Sequence, residues 1–63
     1  MSEETYEIEQ DYRGYRLQAR RLDYGRNECV ITRGGRLTAV VHGYGDAKSA
    51  IENGKKQADQ ERD

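Results

Sequence analysis

The sequence predicts an α+β fold: a three- to four-stranded antiparallel meander followed by one C-terminal helix packed on one face. Three observations predict it. Apolar and polar residues alternate with a period of two through the first two thirds of the chain. Turn signals interrupt that alternation at Asp11 to Gly14, at Asp23 to Arg26 and at Gly34-Gly35. Beyond Gly43 and Gly45 the period changes, and Ala47, Ala50 and Ile51 recur at helical spacing.

The strand region runs over residues 4–42. In "TYEIEQ" Tyr6 and Ile8 share one face, with Glu7 and Glu9 on the other. "YRLQARRL" sets Leu17 and Ala19 against Arg16, Gln18 and Arg20, while "ECVITR" and "RLTAVV" are rich in β-branched residues. Gly34-Gly35 suits a two-residue hairpin, because both central positions of a type I′ turn need positive φ. That closure faces Thr32 with Leu37 and Arg33 with Arg36. Four-residue turns at Asp23 to Arg26 and Asp11 to Gly14 would then face Arg21 with Glu28, Ala19 with Val30, Ile8 with Leu17 and Glu9 with Arg16. In this register the covered face collects Tyr6, Ile8, Tyr15, Leu17, Ala19, Val30, Leu37, Ala39 and Val41. Asp46 is a good N-cap for a helix over about 46–58, with Glu52 and Lys56 spaced for an i,i+4 pair and a frayed tail beyond.

Sixty-three residues allow a single domain over 1–63 with a small core. Such a chain buries only about 60% of its unfolded surface, which makes oligomerisation the expected supplement to stability. One cysteine, Cys29, rules out an internal disulfide and suits a reducing, cytoplasmic compartment. No zinc-ligand spacing, membrane-length apolar run or signal-peptide pattern is present, so neither a metal nor a membrane partner is expected. Charge is uneven. Residues 1–12 hold only acids, Glu3, Glu4, Glu7, Glu9 and Asp11, whereas residues 13–42 hold seven arginines against Asp23 and Glu28. Such asymmetry marks either nucleic-acid contact or an acidic strand lying beside basic ones.

Two surface features follow from the expected register. Cys29, Ile31 and Val40 fall together on the face opposite the helix, which one Ala-rich helix cannot cover, and form a candidate protein interface. Arg16, Arg33 and Arg36 form a row there with Glu9, and Arg20 lies near. Arginine forks match carboxylate and phosphate oxygens, so these four arginines form a candidate anion or nucleic-acid contact. The alternatives are an acidic protein surface or simple solvation. "GYGD" at 43 to 46 lacks the dinucleotide fingerprint, and Asp46 would repel an anion there. No pair of carboxylates and no Cys–His arrangement is placed for catalysis, so neither an enzyme nor a cofactor is expected.

"TYEIEQDYRGYRLQ", then "GRL", then "GYGDAKSAIENGKKQA" resembles small uncharacterised meander-plus-helix domains of phages, bacteria and haloarchaea. The resemblance covers most of the chain and implies the fold and dimerisation, but no functional residue. This chain departs from the pattern by an extra strand's worth of residues between "YRLQ" and "GRL". The expected function is a small non-enzymatic protein-interaction module that self-associates through the open sheet face. The alternative is a nucleic-acid-binding module using the arginines of that face.

Overall fold

The computed structural model describes residues 6–61. Strands β1 (Ile8–Tyr12), β2 (Tyr15–Arg21), β3 (Arg26–Arg33) and β4 (Arg36–Tyr44) form one antiparallel sheet in sequence order, and helix α1 (Ala47–Glu61) packs across one face. The α+β meander-plus-helix architecture is therefore as the sequence predicts.

The turns are tighter than expected, and this resets the registers. Arg13-Gly14 (φ 52° and 85°), Tyr24-Gly25 (62° and 72°) and Gly34-Gly35 (60° and 82°) each place two consecutive residues in the left-handed region. That is the signature of type I′ hairpin turns, whose twist matches the strands they join. β1 and β2 close through two residues rather than four, so Ile8 faces Ala19 and Tyr12 faces Tyr15. Asp23, Tyr24 and Gly25 form a three-residue connection, closed by Leu22 N–H donating to the Arg26 carbonyl at 2.7 Å. An odd count moves the register by one residue and turns β3 over. Leu17 therefore faces Ile31, Ala19 faces Cys29 and Arg20 faces Glu28. The expected Arg21–Glu28, Ala19–Val30, Ile8–Leu17 and Glu9–Arg16 registers are corrected accordingly.

A second one-residue irregularity follows. Thr32 faces Leu37 and Arg33 faces Arg36, as the Gly-Gly turn requires, but Ile31 faces Ala39, leaving Thr38 as a bulge. The two offsets cancel in β4. Ala39 and Val41 stay beneath the helix as expected, whereas Leu37 is turned out and is 66% exposed.

The core consists of Tyr15, Leu17, Ala19, Cys29 and Ile31 from the sheet, and Ala47, Ala50, Ile51 and Ala58 from the helix, with Ile8, Tyr12, Ala39 and Val41 at its margin. Cys29 and Ile31 are fully buried under the helix, so the expectation that they share an open-face patch with Val40 is overturned. Burial pushes the Cys29 thiol up to about 11, leaving it protonated and unreactive at neutral pH.

α1 sits very close to the sheet. A methyl group at Gly54 would stand 2.5 Å from Cys29 Sγ and 3.6 Å from Leu17 Cδ1. Gly54 lies within the helix and is its seat on the sheet. At the N-terminus Asp46 accepts from the Ser49 N–H at 3.0 Å, and this bond holds its carboxyl below the usual range. Buried Asn27 donates to the Asp46 carbonyl at 2.9 Å. Near the C-terminus the Tyr12 hydroxyl donates to Asp59 at 3.0 Å, and Arg13 pairs with the same carboxylate at 3.3 Å.

Gly54→Ala gains helix propensity of about 1 kcal/mol. The clash with Cys29 should nonetheless make it net destabilising by roughly 1–3 kcal/mol. Combining it with Cys29→Ala should recover most of that loss in a denaturant double-mutant cycle. Strict additivity would show that the contact does not set the helix position.

Candidate interaction surface

The face away from α1 divides into a charged half and an apolar half. On β1 and β2 the acidic and basic strands lie side by side. Arg16 bonds Glu9 and also reaches Asp11 at 3.2 Å. On the helix side of the same strands, Arg21, opposite Asn27, pairs with Glu7 at 2.8 Å. The uneven charge along the chain is thus largely neutralised between neighbouring strands. These pairs are half-exposed, where screening leaves each worth little.

A more enclosed row crosses the sheet nearer its other end. Glu28 accepts from Arg20 at 2.9 Å, and His42 lies 3.3 Å from its second oxygen. The Arg20 guanidinium stacks over the Tyr6 ring, with 5.3 Å to the centroid. Tyr6 therefore packs with the arginine and not in the core cluster where the sequence reading put it. Only 14% of the Glu28 side chain and 28% of the Arg20 side chain remain exposed, so this pair is screened less than the others.

The four candidate arginines do not form one row. Arg16 and Arg20 are on the open face and engaged by carboxylates. Arg33 belongs to the opposite side, where its guanidinium stands over the Tyr15 ring at 5.3 Å, and Arg36 is its register partner. Neither Arg33 nor Arg36 pairs with a carboxylate among the described residues. Their mutual position follows from the Gly-Gly turn; their face follows from the odd turn before β3.

A shallow cleft of about 450 Å³ lies between the two hairpin tips, lined by Asp11, Gly14, Tyr15, Arg16, Thr32, Gly34 and Gly35. Its arginine is already neutralised by Asp11 and Glu9, and its lining holds no histidine, cysteine or second acid to work as a base. Cys29 and His42 are on opposite faces of the sheet, and no cluster of metal-binding side chains exists among the described residues. Among the described residues no helix is long and apolar enough to cross a membrane.

The apolar half belongs to β3 and β4. Val40 faces Val30 directly and Leu37 lies beside Thr32, while Tyr44 stands at the far strand end, separated from Val40 by the Glu28–His42 pair. Leu37, Val40 and Tyr44 are 66%, 41% and 77% exposed. Of the interface residues read from sequence, Val40 alone lies here. Leu37 and Tyr44 were missed. Leu37 carried no signal because only the bulge turns it outward. No protein-family model matches the chain, and no curated protein or solved structure matches it.

Glu28→Gln removes the charge from the bond that Arg20 donates. It should cost roughly 1–3 kcal/mol in chemical denaturation, with little salt dependence. Arg16→Gln on the same face should change stability much less. Equal effects of the two would mean that enclosure does not distinguish the rows.

Proposed function

We propose that this protein is a small non-enzymatic interaction module that self-associates through the β4 half of its open sheet face. The observation that carries this reading is the strip formed by Val30, Val40 and Leu37. It is contiguous and apolar, and it borders a charged half whose arginines are held by carboxylates. Contiguous exposed apolar surface on a small domain marks an interaction site. A core this small also gains from covering it.

Val40→Lys tests the reading. It should leave the melting profile intact and shift sedimentation at high concentration from dimer to monomer. Ile31→Lys, by contrast, should unfold the protein, because it forces an ammonium group into the core under α1. A wild-type protein that stays monomeric at millimolar concentration removes the proposal.

A second reading, nucleic-acid contact, rests on Arg33 and Arg36, which face each other with no carboxylate paired to either among the described residues. A phosphate between them would relieve them. Single-stranded DNA should then bind at low salt and be lost steeply as salt rises, and Arg36→Gln should weaken it. No binding by the wild type at low salt ends this reading.

A further inference from the structure

The two edges of the sheet are built differently. β1 carries Glu9 and Asp11, with Glu7 just before it, so pairing it with a second copy about its midpoint Gln10 sets Glu9 against Asp11. β4, the other edge, has no Lys, Arg, Asp or Glu from Leu37 to Gly45, and no proline. Charges and prolines are the usual devices that keep an edge strand from pairing with another chain. One edge has charges along its length; the other has Arg36 at its start and the bulge at Thr38, and beyond that bulge, from Ala39 to Tyr44, it has no Lys, Arg, Asp, Glu or proline.

We propose that the occupant of this edge is a second copy of the chain, its β4 paired antiparallel with β4 of the first about a twofold axis at Val40, giving a continuous eight-stranded sheet. The inference rests on the self-association proposed above but places the contact along the β4 edge, which leaves the open face uncovered. β4 runs from Arg36 to Tyr44, so Val40 is its midpoint, and pairing about it is regular through Ala39–Val41 and interrupted at the Thr38 bulge. In that register Ala39 of each copy faces Val41 of the other on the helix side, and the two Val40 side chains meet on the open side. The strand period of two keeps each of these pairs on a common face. The charges that bracket the neutral stretch have opposite signs, Arg36 before it and Asp46 after it. Antiparallel pairing brings the Arg36 end of one copy to the Asp46 end of the other, whereas parallel pairing would set Arg36 beside Arg36. An isologous edge of this kind closes as a dimer, so no open filament grows. The axis is normal to the sheet and keeps both helices on one side. The two Val30–Val40–Leu37 strips then join into one band on the other.

A mixed dimer of isotope-labelled and unlabelled protein distinguishes this geometry from the other ways of associating. Filtered NMR should show contacts between Ala39 of one copy and Val41 of the other. Amide exchange in β4 should slow as concentration rises through the dimerisation midpoint. A dimer whose intermolecular contacts join Val30, Leu37 and Val40, with none between Ala39 and Val41, overturns edge pairing while leaving self-association through the face intact. A monomer at millimolar concentration overturns both. A monomer whose β4 amides are protected only by an added extended peptide overturns the second copy as the occupant.

Discussion

The seating of Gly54 on Cys29 is the contact on which the rest of the structure depends. With no side chain at 54, the helix comes close enough for small residues, Ala47, Ala50 and Ala58, to make full contact with the sheet. A chain without Trp or Phe has few large side chains with which to fill a wider gap. Close approach takes the place of bulk. It also fixes which side of β3 is inside, because Cys29 must point toward the helix for Gly54 to rest on it. Ile31 and Asn27 share that direction, and Asn27 ties the sheet to the helix N-terminus through the Asp46 carbonyl.

The same choice shapes the outer surface. With Cys29 and Ile31 inside, Glu28, Val30 and Thr32 face out. Glu28 then meets Arg20 and His42, so a carboxylate in the middle of the sheet is satisfied by neighbouring strands. Val30 is left beside Val40. The charged and apolar halves of the open face are both consequences of how β3 is turned, and the bulge at Thr38 adds Leu37 to the apolar half. Function, as proposed, is located where the ion pairs stop.

Charge that looks segregated along the chain is mixed in space. Glu7, Glu9 and Asp11 find Arg21 and Arg16 because a tight Arg13-Gly14 turn folds an acidic strand directly onto a basic one. Neutralisation at that edge holds the carboxylates in place as a guard against further pairing. β4 has no carboxylate guard beyond the bulge at Thr38. An edge strand of a marginal domain is thus the part of the molecule best suited to take up a partner.

The sequence by itself determined the element order, the helix cap at Asp46, the type I′ turn at Gly34-Gly35 and the Arg33–Arg36 apposition, since each depends on residues close together in the chain. It also determined that Leu17 and Ala19 face the helix, because β2 alternates cleanly. It did not determine the face of β3. "CVI" is apolar at three successive positions, so period two is silent there; the clue was Glu28, which makes one set of alternate residues costly to bury. A three-residue turn and a bulge each move the register by one, and their cancellation carried Ala39 and Val41 to the expected side while reversing Cys29, Ile31 and Leu37. Only the tertiary structure decided this, because whether a turn counts two residues or three is settled by which face then fits against the helix. Gly54, a helix breaker by local propensity, is a helix residue here for the same reason: the free energy of closing onto the sheet exceeds the roughly 1 kcal/mol that glycine costs the helix.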